Sequence, residues 1–145
     1  EKLYVEVGYK SVPEAAMEAE QHFKQDLKLP LRMPPIPFTH SFGRFNNMEG
    51  ELNDDSEVEC ISEAAPENHY KIVIRPIKYK ISINDEDILK VYKLKNKDKA
   101  LYINISGFNV LVFEKDNWQY MLSIDKRVSN KVTSKALVEI ADSIS

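Results

Sequence analysis

The residues of this chain whose types could do chemistry are few and scattered. His22, His40 and His69 lie far apart, and no two of them sit at metal-ligand spacing. The ordinary reading of each is a surface histidine or a hydrogen-bonded core histidine. Cys60 is the sole cysteine, so no internal disulfide can form. A nucleophilic thiol needs a base beside it, and the sequence places none, so Cys60 reads as a small buried hydrophobe. Asn53-Asp54-Asp55-Ser56-Glu57 and Asn84-Asp85-Glu86-Asp87 could offer oxygen ligands to calcium. Neither has the glycine and terminal glutamate of a calcium loop, so both read as solvated turns. The chain has no Gly-x-Ser-x-Gly elbow, no glycine-rich phosphate loop and no His-Glu-x-x-His. No catalytic residue, metal site or cofactor is expected.

Two sets of residues remain. Phe38, His40, Phe42, Arg44 and Phe45 bring aromatic and cationic groups together in one irregular stretch, and they form the candidate binding set. Lys71, Arg75, Lys78 and Lys80 could share one sheet face. A nucleic-acid platform needs aromatic residues on the same face as the cations, whereas Tyr70 and Tyr79 alternate with the lysines, so no nucleic-acid partner is expected. An anionic envelope polymer or membrane surface is the remaining use of such a face.

These residues need elements to hold them. Leu3 to Tyr9 reads as an edge strand or a linker remnant. Ser11 can cap a helix with Glu14 three residues on and Pro13 in the first turn. Val12, Ala15, Ala16, Ala19, Phe23 and Leu27 form its apolar stripe, and the alanines let it approach a sheet closely. Leu29 to Phe38 holds four of the seven prolines and reads as irregular chain pinned by its apolar residues. Asn46–Gly50 and Asn53–Ser56 read as turns. Strands are expected at Thr39–Phe45 with Gly43 as a bulge or bend, and at Glu57–Ser62, His69–Arg75, Ile77–Ile83, Ile88–Leu94 and Ala100–Ile105. A helical turn near Asp85–Leu89 is the alternative at the start of the fifth. Leu111–Ile124 is a hairpin turning at Asp116-Asn117, with Trp118, Tyr120, Leu122 and Ile124 on one face. A last helix begins at Thr133 or Ser134 with Leu137, Ile140, Ala141 and Ile144 as its stripe.

The expected fold is therefore α+β: one domain over residues 1–145, with an antiparallel sheet of about seven or eight strands. An N-terminal and a C-terminal helix flank one face. The chain is long enough to bury a core without staples, and no apolar run approaches the roughly 20 residues of a membrane span. Net charge is −3 but uneven: residues 1–70 carry 14 acids and 6 bases, residues 71–145 carry 9 acids and 14 bases. Beginning at Glu1 rather than Met, the sequence leaves room for an upstream signal or anchor.

Val91-Tyr92-Lys93-Leu94, Ala100-Leu101-Tyr102, Leu111-Val112-Phe113-Glu114, Trp118-Gln119-Tyr120-Met121-Leu122 and Leu137-Val138-Glu139-Ile140-Ala141-Asp142-Ser143-Ile144 occur in that order. From Ala15 through Ile144 the chain resembles a family of uncharacterised extracytoplasmic domains of spore-forming Gram-positive bacteria, found on lipoproteins and anti-sigma-factor-like membrane proteins. It departs from that pattern at Phe38–Phe45, where the family has a shorter step. The resemblance implies no enzyme activity. It implies an exported, membrane-tethered domain at the cell surface that binds a protein or cell-envelope partner, in stress sensing or sporulation-related processes. The competing readings are a carrier or chaperone for an apolar ligand in a sheet–helix groove, and a hydrolase whose site gathers Arg44, His40, Glu57 and His69.

Overall fold

The computed structural model describes residues 11–46 and 55–144. The strand read at Leu3–Tyr9, the turn following Asn46 and the start of the Asn53–Glu57 cluster lie outside the described residues. Helix α1 (Val12–Phe23) is followed by strands β1 (His40–Asn46), β2 (Asp55–Ile61), β3 (Tyr70–Pro76), β4 (Ile88–Lys93), β5 (Lys99–Ile105), β6 (Phe108–Lys115) and β7 (Trp118–Asp125), then helix α2 (Ser134–Asp142). The strands form one antiparallel sheet in the order β1-β2-β3-β7-β6-β5-β4. The architecture is the α+β fold expected.

Both helices pack on one face, which we call the first. Ser11 caps α1 by accepting from the Glu14 amide, and Thr133 caps α2 by accepting from the Ala136 amide. α1 lies so close to β1 that a Cβ on Gly43 would stand 2.6 Å from the Ala15 Cβ and 2.9 Å from the Val12 Cα. Gly43 is thus not the bulge expected from sequence. It pairs in register with Val58, and its missing side chain makes room for the helix. The first-face core runs through Cys60, Tyr70, Ile74, Leu111, Trp118, Tyr120, Leu122 and Ile124, all nearly inaccessible, and is closed by Leu137, Ile140 and Ile144 from the α2 end. The hairpin β6–β7 is central in this core. Its turn holds Asp116 and Asn117 at φ 51° and 69°, the left-handed pair that matches strand twist.

The chain between α1 and β1 completes the first face. The Trp118 indole N–H donates to the Asp26 carbonyl at 2.6 Å, and the Tyr120 hydroxyl donates to the Lys28 carbonyl at 2.7 Å. The Leu31 and Arg32 amides both donate to the Ser143 hydroxyl at the end of α2. Ile36 is buried as expected, but Leu31 and Met33 point into solvent, contrary to the reading that all the apolar residues among the prolines anchor the segment.

The strand read at Ile77–Ile83 is absent. Ile77–Tyr79 is a single 3-10 turn, and the chain then crosses the second face of the sheet to reach β4 through another such turn at Asp85–Asp87. The reason is topological. β7 takes the edge of β3 that a following strand would pair with, so the alternating segment has no edge left. Gln119 on β7 holds the crossing instead: its side chain accepts from the Ile81 amide and donates to the Ile81 carbonyl. Under the crossing lies a small second core of Ile103, Val110, Val112 and Met121, with Val73, Ile83, Ile88, Leu101 and Phe108 around it.

Candidate functional site

Strand alternation sorts the candidate residues by face. Phe45 points to the first face with Gly43 and meets the Phe23 ring edge-on at 5.7 Å. His40, Phe42 and Arg44 point to the second. Phe38 precedes β1 and packs against the core beside Tyr70, ring centroids 6.4 Å apart. The candidate set is therefore split: Phe38 and Phe45 pack on the helix side, and His40, Phe42 and Arg44 belong to a polar array on the other side.

That array runs across β1, β2 and β3. Arg44 stands opposite Glu57 and Phe42 opposite Glu59, while Glu57 and Glu59 stand opposite Val73 and Lys71. The His40 ring stacks parallel to Phe42 at 6.0 Å, and its Nε2 lies 3.4 Å from Glu63. The His69 Nε2 lies 2.6 Å from the Glu59 carboxylate, and its ring meets the edge of Phe108. Lys71 reaches Glu57 at 3.8 Å and also stands over the Phe108 ring; Arg75 reaches Asp55 at 3.4 Å. Glu59 is buried although its strand position marks it as outward-facing. Burial raises the pKa of Glu57, with Lys71 opposing and neighbouring Glu59 adding to the rise. Asp125, at the end of β7, is held low by its hydrogen bonds and ion pair with Arg127.

Arg44, Glu57 and His69, three of the residues a hydrolase would need, thus share the second face, with His40 at its rim. Alternation revealed the facing of β2 and β3, and the facing of β1 came from the structure. Nothing in the sequence revealed that Glu59 and His69 would meet. Lys71 and Arg75 share a face as expected, but each has an acidic partner. Lys78 and Lys80 leave the sheet with the crossing. Cys60 lies on the first face, buried beside Tyr70, and burial pushes its thiol pKa up to about 11, so it is inert at neutral pH. Among the described residues no three His, Cys, Asp or Glu side chains are grouped so as to hold a metal ion.

The other half of the second face carries a cleft of about 750 Å³ between the crossing and the tips of the β4–β5 and β6–β7 hairpins. Its floor is Leu101, Val112 and Gln119; its walls are Ile81 and Ile83 on one side and Lys97 to Lys99 on the other. Lys80 bridges to Glu114 at 3.2 Å at its mouth. Sequence reasoning missed this cleft because it took the Ile81–Ile83 wall for a strand. A second cleft of about 600 Å³ lies between the end of α1 and the Ile77–Tyr79 turn, and a smaller one of about 240 Å³ beside Trp118.

Compared with protein-family models, with curated proteins and with solved structures, the chain finds no match. Among the described residues no helix is long and apolar enough to cross a membrane.

Proposed function

We propose that this chain is a non-catalytic extracytoplasmic domain, tethered at a membrane, which binds a protein or cell-envelope partner through the second face of its sheet. The observation that carries the reading is the cleft of about 750 Å³ on the face the helices leave free, with Leu101 and Val112 beside Gln119 in its floor and a rim of both charges, Lys80, Lys97, Lys99 and Lys115 with Asp98, Glu114 and Asp116. An apolar floor supplies affinity, and a few charged groups at the rim supply selection. His40, Phe42 and Arg44 extend the same face toward β1. The extracytoplasmic setting, with a role in stress sensing or sporulation, rests on the resemblance carried by the Trp118–Leu122 strand and the Ile140–Ile144 helix end.

The carrier reading is less well supported. The space between sheet and helices is filled by side chains such as Leu111, Tyr120 and Leu137, and the large cleft lies on the opposite face. The hydrolase reading keeps one favourable observation: the His69–Glu59 contact beside Glu57, whose pKa burial raises. The three clefts lie away from that pair.

Site-specific photocrosslinking in the full-length protein on intact cells tests the proposal. A benzophenone side chain at Leu101 should give a discrete adduct, and the same group at Met17, exposed on α1, should not. Equal labelling from both positions, or none from Leu101, would sink it. Hydrolysis of a generic ester, phosphoester or glycoside that is abolished by Glu59→Gln would replace it with the hydrolase.

A further inference from the structure

The β4–β5 hairpin concentrates cationic and apolar exposure. Between Ile88 and Asn104 the chain carries Lys90, Lys93, Lys95, Lys97 and Lys99, and Asp98 is the single acid. All five lysines are exposed. Lys93 and Lys99 are register partners on the second face, and Lys97 sits at the turn with φ 73°. β4 is the terminal strand of the sheet. Beside the lysines stand large apolar side chains in solvent: Leu89 is 64% exposed, Val91 49% and Ile81 41%. Val91 pairs with Leu101 and so borders the cleft floor.

We infer that this hairpin tip and strand edge dock on an anionic lipid bilayer, with the lysines among the headgroups and Val91 and Ile81 entering the interfacial layer. The inference names the envelope partner of the second face, and so it rests on that face being the binding face. Charge complementarity favours a lipid surface. Clustered lysines draw a protein to anionic lipid through long-range attraction, and each nearby lysine strengthens partitioning about fivefold. Exposed apolar side chains next to them have no use against a hydrated polymer, but they gain by burial at the headgroup boundary. The charge pattern along β4 also sets orientation. Asp85, Glu86 and Asp87 crowd its beginning and the lysines its end, so the Lys93–Lys99 end turns toward the membrane. The Lys71 and Arg75 cations do not contribute, because Glu57 and Asp55 already engage them.

The test is flotation of the intact domain with vesicles of phosphatidylcholine alone or with about one third phosphatidylglycerol. Binding is expected to the anionic vesicles only and to fall with added salt. The triple change Lys93→Glu, Lys97→Glu and Lys99→Glu should weaken it about a hundredfold or more. An equal charge change at the exposed Lys126, Lys131 and Lys135 should weaken it far less. Val91→Ser should lower vesicle binding without altering the thermal midpoint by more than a degree or two on the order expected for a surface change. Binding to neutral vesicles alike, no binding to either, or equal losses from the two lysine triplets would overturn the inference. So would soluble heparin binding as tightly as vesicles with Val91→Ser silent, which would indicate a hydrated polyanion. A Leu101 photoadduct with a protein alongside failed flotation would retain the binding face and remove the bilayer.

Discussion

Two tyrosines one strand apart show how differently a buried hydroxyl can act. The Tyr120 hydroxyl donates to the Lys28 carbonyl, whereas the Tyr70 hydroxyl has no hydrogen-bond partner among the described residues. Tyr120→Phe is expected to cost about 1 kcal/mol or more, because it strands a carbonyl. Tyr70→Phe should be neutral or stabilising by up to about 1 kcal/mol, since it removes a desolvated group that gains nothing. Urea midpoints of the two variants check the contrast. Glu57 and Asp125 form a second contrasting pair, in pH. Burial raises Glu57 above its unfolded pKa, so its contribution is most favourable at low pH and is lost as pH rises through the folded value. Arg127 lowers Asp125, so its contribution is present above the unfolded pKa and disappears as pH falls through the folded one. Glu57→Gln should therefore raise the midpoint at pH 7 and lose that advantage as pH falls to the ordinary glutamate range, while Asp125→Asn should lower it at pH 7 and lose that effect only as pH falls below the ordinary aspartate range. Coincident curves for both variants across that range would refute the assignment.

Among the elements, α1 and the crossing depend on single positions. Gly43 admits α1 against β1, where Ala15 and Ala19 supply the other small surfaces. Gly43→Ala must push the helix away and should cost about 1–3 kcal/mol, with faster amide exchange confined first to α1. The alanine stripe told of a close approach in advance; its counterpart on the sheet was misread because an isolated strand glycine usually marks a bulge. The crossing hangs on Gln119. Replacing it with Leu removes both bonds to Ile81 and should free residues 80–84 to exchange while the strands stay protected. An unchanged exchange pattern would show that Ile83 packing alone holds the crossing. The same variant should loosen one wall of the cleft, so its photocrosslinking from Leu101 should change as well.

Across the whole molecule, Trp118 reports on folding. It is the single Trp, it is buried, and its indole is tied to Asp26, far away in sequence. Its emission should be blue-shifted in the native state and shift red in one step, together with the loss of far-ultraviolet ellipticity, if the two faces fold as one unit. Leu111→Ala, beneath α2 in the middle of the sheet, should lower stability by about 2–5 kcal/mol without displacing the two signals from each other. An ellipticity change preceding the Trp signal would mean that the β4–β5 end unfolds separately.

Alternation and capping were enough to determine the class, both helices, the Ser11 cap of the first, the Asp116-Asn117 turn and the buried face of Trp118, Tyr120, Leu122 and Ile124; the structure chose Thr133 over Ser134 as the cap of the second. Each is fixed by neighbours within a few residues, through strand periodicity, left-handed turn conformations or a side chain reaching the next amide. Tertiary structure decided the strand order, and with it everything about the second face. Only when β7 sits beside β3 does the Ile77–Ile83 stretch lose its pairing edge, cross the sheet and make one wall of a cleft. His69 comes onto Glu59 through the pairing of the consecutive strands β2 and β3, and the register of that pair decides the contact. His40, Phe42 and Arg44 were legible as a group because they are adjacent in sequence. Strand alternation alone separates Phe45 from them, whereas the place of Phe38, ahead of β1 and against the core, was settled by packing.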